Sequence, residues 1–306
     1  MSAPILTAAI ALLAQTAPVP VFRANLETVY VDVFVNRGET ALMGLSAANF
    51  VLLDDGVVQP VRLMDQQAAG ASAVLMLDVS GSMEGRKLED LRVACTAFVD
   101  ALGPRDQAAV LLVSRRLELL VPPTDDRGRL RAALARLRAS AATALHDGLY
   151  AAVRLEHGER RPLVVAFSDG RDNLSWLARE DVLRAAEVAP ALLYGVGLGK
   201  LLLPPAVQGA FTEPELPAGM QFMRRLAEST GGRFWRAERP QELKDVFLRA
   251  LGEARERYLL AYEPQGLPRP GYHRLEVRLR GAKARVRARA GYRVPDNPLV
   301  RPSEGR

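Results

Sequence analysis

Three oxygen-bearing side chains at alternate positions, Asp78, Ser80 and Ser82, form the pattern in this sequence that most directly indicates chemistry. They come after a run of apolar residues, 73–77, and Gly81 lies between the two serines, where it allows the chain to turn tightly. Side chains at this spacing on one tight turn converge on a point. Hydroxyl and carboxylate oxygens are hard ligands, so their convergence predicts a site for a hard divalent cation.

The element that must position these side chains is the run 73–77, whose pattern predicts a buried parallel strand that ends in a polar loop. In an open α/β sheet, ligands bind at the carboxyl ends of the strands. Taken alone, the short motif is equally compatible with an ordinary strand-to-helix turn in which Ser80 or Ser82 caps the helix. Residues further along the chain must therefore decide between the two interpretations.

The motif D-x-S-x-S after an apolar strand resembles the opening of the metal-ion-dependent adhesion site (MIDAS) of the von Willebrand factor A (VWA) domain family. That family also uses a threonine from a loop before a helix and an aspartate at the end of a later strand, and Thr143 and Asp169 fill these positions in the family's order. The resemblance implies that Ser80, Ser82 and Thr143 contact the metal through hydroxyls. It also implies that Asp78 and Asp169 hold the metal largely through water, which leaves one position open for a carboxylate from a partner.

The expected function is that of a metal-ion-dependent protein-binding module and not an enzyme. Its cofactor would be Mg²⁺, Mn²⁺ or Ca²⁺, and its partner a protein that offers a carboxylate. The alternative is a Mg²⁺-dependent hydrolase or phosphotransferase with Asp78 as the nucleophile. In haloacid-dehalogenase-like enzymes such chemistry needs a second carboxylate two residues on, where this chain has Ser80. A serine hydrolase is disfavoured because neither Ser80 nor Ser82 lies in the spacing G-x-S-x-G.

The composition is ordinary for a globular protein of two domains. The 306 residues are 49% hydrophobic and 25% charged. The net charge of +6 leaves a basic nucleic-acid binder as another alternative, but the arginines are spread over every segment, which is typical of a solvated surface. His146, His157 and His273 lack the spacing of metal ligands, and the single Cys95 cannot form an intramolecular disulfide. Neither a zinc site nor a disulfide framework is expected.

The ends and the centre of the chain have different patterns. Residues 1–17 contain an apolar run of the length found in secretory signal peptides, which predicts an exported protein, periplasmic or secreted. The alternative is an apolar N-terminus of a cytosolic protein. This run is far too short for a transmembrane span. Residues 70–257 alternate strand and helix patterns, as in an α/β domain with a doubly wound, mainly parallel, Rossmann-like sheet of the VWA type.

The segments that flank the centre, 22–65 and 258–294, have a hydrophobic period of two and predict strands. Each has too few strands to bury a face alone, so the two are expected to pair into one small all-β domain, with a tail over 295–306 after it. The whole layout resembles that of secreted bacterial VWA-related proteins.

Two finer expectations concern side chains in the second half of the chain. In 283–290, four cations alternate with small apolar residues, which indicates a strand with one buried and one solvated basic face. The basic face fits either contact with an anionic polymer or lipid, or an exposed edge strand that its charges protect from pairing with other chains; the second is favoured. In 233–236, Phe234 is expected in the core and Trp235 at the surface.

Overall fold

The computed structural model describes residues 28–65, 70–140, 142–158, 160–201, 215–265, 270–281 and 283–295. The predicted signal peptide, 1–17, lies outside the described residues, as does all of the predicted tail after residue 295. Among the helices of the described ranges, none combines the length and the apolar character needed to cross a membrane.

Strands and helices are numbered along the described chain. The strands are β1 (Val29–Arg37), β2 (Thr40–Ala41), β3 (Phe50–Asp54), β4 (Val57–Gln59), β5 (Arg62–Met64), β6 (Ala71–Asp78), β7 (Gln107–Val113), β8 (Leu117–Thr124), β9 (Arg161–Ser168), β10 (Leu192–Leu198), β11 (Arg233–Ala237), β12 (Tyr258–Tyr262), β13 (Gly271–Leu279), β14 (Arg285–Arg287) and β15 (Gly291–Val294). The helices are α1 (Arg86–Asp100), α2 (Arg127–Ala135), α3 (Leu145–Arg154), α4 (Arg179–Val188), α5 (Ala218–Ser229) and α6 (Leu243–Arg255).

A six-stranded sheet in the order β11-β10-β9-β6-β7-β8 forms the central domain. Its strands run parallel except for β8, which pairs antiparallel with β7. Helices α1, α2 and α6 pack on one face and α3, α4 and α5 on the other. Strand β6 lies between β9 and β7, and residues 73–77 are fully buried because both faces are covered. The predicted mainly parallel α/β fold is confirmed.

The remaining strands form two antiparallel sheets, β14-β1-β12-β5 and β15-β13-β3-β4, and β2 pairs with β1. Both sheets combine strands from before and after the central domain: β1 pairs with β12, and β3 pairs with β13. The predicted second, all-β domain is therefore confirmed. Its hairpin β3-β4 turns at Asp55 and Gly56, whose φ angles of 47° and 83° are typical of an Asp-Gly hairpin turn.

The expectation for the basic strand is wrong for two of its arginines. Strand β14 covers only Arg285–Arg287, and Arg287 forms an ion pair with the buried Glu253 of α6. Arg289 is buried, and its guanidinium donates to the carbonyl oxygens of Ala186 and Ala189 at the end of α4, at 3.1 and 3.3 Å. The last carbonyls of a helix lack partners within the helix, so a cation there satisfies them and complements the helix dipole. These arginines hold the β domain against the central domain.

The expectation that Trp235 of β11 lies at the surface is wrong, whereas Phe234 packs against the core as expected. Trp235 is buried and stacks on Tyr194 with 5.2 Å between the ring centroids, whereas Phe234 is only partly buried. Strand β11 lies at the edge of the sheet, and alternate residues on it face opposite layers of helices. The helix layer that contains α6 covers Trp235 more completely than the opposite layer covers Phe234.

Candidate metal centre

The predicted metal ligands lie at the carboxyl edge of the central sheet. Asp78 is the last residue of β6, and Asp169 comes directly after β9, the parallel neighbour of β6. Ser80 and Ser82 belong to the turn that leads from β6 into α1, where 81–83 form a short 3-10 helix. Thr143 lies in the loop before α3. Because neighbouring parallel strands end at the same edge of the sheet, three separate loops meet there.

The side-chain oxygens of these five residues form one hydrogen-bonded group. The hydroxyl oxygens of Ser80 and Ser82 are 3.0 Å apart, and the Ser82 hydroxyl donates to Asp169 Oδ2 at 2.5 Å. The Thr143 hydroxyl donates to Asp78 Oδ1 at 3.3 Å, and the same oxygen accepts the backbone N–H of Ser80 at 2.9 Å. The structure thus brings together every residue that the sequence nominated, while their role as ligands stays a prediction.

Asp78 carries an unfavourable charge in the absence of a cation. Its side chain is fully buried, and burial raises the pKa of the Asp78 carboxyl to about 6. The nearby negative charge of Asp169 acts in the same direction, while hydrogen bonds from Ser168 and Ser80 oppose the rise. A cation at this place would stabilise the ionised carboxylate, because an opposite charge offsets the loss of solvation.

Two polar residues that sequence reasoning missed position the predicted ligands. The Ser168 hydroxyl donates to Asp78 Oδ2 at 2.6 Å and accepts the Gly170 N–H at 2.9 Å. Asn173 holds the Thr143 loop, because its Oδ1 accepts the Thr143 N–H at 3.0 Å and its own N–H donates to the Thr143 carbonyl at 3.1 Å. Ser168 had a weak signal, a small polar residue at a strand end next to Asp169. Asn173 had none.

The donor set fits a hard divalent cation. It consists of two carboxylates and three hydroxyls, and Mg²⁺ and Ca²⁺ prefer oxygen ligands. Adjacent ligands of an octahedral Mg²⁺ lie about 3 Å apart when each is 2.0–2.1 Å from the ion, and the hydroxyl oxygens of Ser80 and Ser82 are already 3.0 Å apart. At the rim, the exposed Lys87 donates to the Ser82 carbonyl at 3.0 Å, and the Arg171 guanidinium is 3.8 Å from Asp169.

A second group of possible ligands lies in the β domain, although the histidines have no ligand spacing along the chain. His273 Nδ1 is 3.2 Å from Asp54 and 3.4 Å from Asp55. The buried Asp54 carboxylate also accepts the hydroxyls of Tyr262 and Tyr292 at 2.8 and 3.0 Å. Since these protein groups already satisfy Asp54, the network is explained as a buried hydrogen-bonded core of the β domain.

The fold defines the class of this domain, an α/β domain that groups hydroxyl and carboxylate oxygens at the carboxyl edge of its mainly parallel sheet. Residues 73–171 match the family model of the von Willebrand factor type A domain. The central domain of this chain is therefore a VWA domain, and the predicted family is confirmed.

Other proteins are more distantly similar to this chain. A UPF0353 protein of Mycolicibacterium paratuberculosis is 27% identical over 227 residues, which span 66% of this chain and 66% of that relative, slightly less than two thirds of its length. The structure of proximal thread matrix protein 1 from the mussel byssus is 16% identical, with a TM-score of 0.50, and the match covers 70% of this chain and 51% of that one. A VWA protein from Catenulispora acidiphila is 13% identical, with a TM-score of 0.49, over 90% of this chain and 76% of that one.

Proposed function

We propose that this protein is a metal-ion-dependent protein-binding module that captures an acidic group of a protein partner through Mg²⁺, with Mn²⁺ or Ca²⁺ as substitutes. The residues that would hold the ion are Asp78, Ser80, Ser82, Thr143 and Asp169. The observation that carries the proposal is the meeting of these five side chains, from three separate loops, in one oxygen-lined group.

The charge of the site favours an acidic partner. Hydroxyl ligands are neutral, and carboxylates that reach an ion through water neutralise it less than direct ligands do, so a bound divalent ion would retain attraction for an outside carboxylate. The exposed Lys87 and Arg171 add positive charge at the rim. Complementary charge of this kind speeds encounter and selects an acidic partner over a basic one.

Two features support binding over the alternative functions. An Asp78 nucleophile would need a carboxylate oxygen open to a substrate, but both of its oxygens accept hydrogen bonds and the side chain is fully buried. We therefore propose no enzymatic activity. Nucleic-acid binding would need a surface rich in free cations, whereas Arg287 and Arg289 of the basic C-terminal segment are engaged at the domain junction.

The test is a calorimetric titration of the full chain with Mg²⁺ after EDTA treatment. We expect binding to the wild type and to the control Thr40→Ala, whose side chain is exposed on β2. Binding should weaken at least tenfold in Thr143→Ala and Asp169→Ala, while circular dichroism shows a retained fold. Equal Mg²⁺ binding by all variants contradicts the proposed site. Unfolding of both site variants would mean that Thr143 and Asp169 are needed for the fold, which contradicts a purely metal-binding role for them.

We also propose that the protein is exported, on the strength of the apolar run within residues 1–17. N-terminal sequencing of the native protein tests this. A mature protein that begins near residue 18 supports export, and an intact Met1 on a cytosolic protein contradicts it.

A further inference from the structure

The loop 169–178, between β9 and α4, presents an unusually exposed aromatic residue. Trp176 is 96% exposed, the highest value among the large hydrophobic side chains of the described residues, and Leu174 on the same loop is 40% exposed. A tryptophan buries a large apolar area when it packs, and leaving it in water forgoes that stabilisation. The folded chain itself gains nothing from this placement, so the exposure calls for a role outside the chain.

The backbone under Trp176 is firmly held although its side chain is free in solvent. The Asp147 carboxylate, in the first turn of α3, accepts the N–H of Trp176 at 3.1 Å and that of Leu177 at 2.9 Å. The Ser175 hydroxyl oxygen accepts the N–H of His146 at 2.9 Å. A loop tied down in this way loses little conformational entropy when a partner binds. Such preorganisation is what an anchor residue of an interface requires.

The same loop is part of the proposed metal centre. It begins at Asp169, and the carbonyl of Thr143 accepts the N–H groups of Asn173 and Leu174, each at 3.1 Å. Trp176 lies two residues after Leu174, so their Cα atoms are separated by at most about 7 Å. The backbone of Trp176 therefore lies close to the Thr143 loop, one of the three loops that bring the five oxygen side chains together.

We propose that Trp176 is the apolar anchor of the partner-binding surface, beside the metal centre. The partner it fits is a protein segment that presents a carboxylate to the metal and, a few residues away, a large apolar side chain to the indole. This inference rests on the proposed function and adds to it a second recognition element. Tryptophan is among the residues that most often dominate the binding energy of an interface. Lys87 and Arg171, both exposed at the rim of the metal centre, complement the acidic part of such a segment.

The probe is a phage-displayed library of random linear peptides, selected on the immobilised full chain in Mg²⁺ and eluted with EDTA. Synthetic copies of the recovered peptides are then titrated by fluorescence anisotropy against the wild type, Trp176→Ala and the control Val58→Ala, an exposed apolar residue on β4. We expect recovered peptides to combine Asp or Glu with a large apolar residue. Trp176→Ala should weaken their binding tenfold or more and leave Mg²⁺ affinity unchanged, whereas Val58→Ala changes neither.

A double-mutant cycle tests whether the apolar residue of the peptide contacts Trp176 directly. Replacing the apolar peptide residue by serine should weaken binding of the peptide to the wild type. The same replacement should lower the affinity for Trp176→Ala only slightly, because the two changes remove the same contact. Additive losses would mean that the peptide residue packs elsewhere, which overturns the assignment of Trp176.

The remaining outcomes separate the inference from the function on which it rests. If Trp176→Ala binds the peptides as well as the wild type does, the anchor role is overturned and the metal-dependent function stands. If no peptide binds in a Mg²⁺-dependent manner, both are overturned. If Trp176 is instead required for metal-independent binding to vesicles of phosphatidylglycerol, the surface recognises an anionic membrane and the protein-partner assignment is overturned.

Discussion

Replacing Asp78 by Asn should stabilise the metal-free protein at neutral pH while it abolishes metal binding. The substitution removes a fully buried negative charge and preserves the size and shape of the side chain. The amide oxygen can accept the Ser80 N–H as Oδ1 of the carboxylate does, and the amide nitrogen can donate to the Ser168 hydroxyl. The change therefore alters charge with little alteration of packing.

The magnitude can be worked from the pKa of the Asp78 carboxyl, which burial raises from 3.8 to about 6. A shift of this size corresponds to about 3 kcal/mol of unfavourable free energy for the ionised form at pH 7. Hydrogen bonds to an amide are weaker than those to a carboxylate and offset about 1 kcal/mol of the gain. We expect a net stabilisation of about 2 kcal/mol, or a rise of roughly 5 °C in the thermal midpoint for a chain of this size.

The stability advantage of Asp78→Asn over the wild type depends on pH in a definite direction. Because the pKa in the folded state lies above that in the unfolded state, the folded wild type binds an extra proton between about pH 4 and pH 6. Through this group, the free energy of unfolding of the wild type falls as the pH rises across that window. The advantage of Asp78→Asn is therefore present at pH 7 and lost below about pH 4.

The assay is thermal unfolding of the wild type, Asp78→Asn and the control Asp125→Asn, an exposed position, at pH 7 and pH 4 in EDTA. Added Mg²⁺ should raise the midpoint of the wild type and the control by mass action but leave that of Asp78→Asn unchanged. A metal-free Asp78→Asn protein that is less stable than the wild type at pH 7 would refute the reasoning. It would mean that the apo site stabilises the ionised carboxylate by itself.

Two further substitutions test residues that support the site and the domain junction. Asn173→Ala removes the side chain that accepts the Thr143 N–H. We expect about tenfold weaker Mg²⁺ binding in calorimetry and an unchanged thermal midpoint in EDTA. An unchanged Mg²⁺ affinity would show that the Thr143 loop keeps its position without Asn173. Arg289→Met leaves the terminal carbonyls of α4 without their guanidinium donor, which should cost about 2 kcal/mol of stability in urea unfolding without altering Mg²⁺ affinity. The exposed Arg285→Met is its control, and equal stability of the two variants would contradict the proposed junction.

Features that depend on neighbouring residues in the chain could be predicted from the sequence. The unbroken apolar run 73–77 is fully buried, as expected for a strand covered on both faces, and the motif directly after it forms a turn with converging oxygens. The turn at Asp55 and Gly56 has the left-handed conformation that is typical of an Asp-Gly pair. In each case local sterics and solvation decide the result, and distant parts of the chain add little. Thr143 and Asp169 were identified through the resemblance to VWA domains, not through local physics.

Other features depend on which helices, strands and loops lie next to each other in the fold, and only the tertiary structure determines these. A period of two predicts that a strand has two faces, but not which face another element covers, and for this reason Trp235 and Arg289 are buried against expectation. Asn173 acquires its role only because the fold brings its loop against that of Thr143. Trp176 is one apolar residue among many in the sequence, and only the fold shows that its side chain is exposed while the Asp147 carboxylate accepts its N–H. Burial and contact between distant residues depend on packing, which no local pattern of residues specifies.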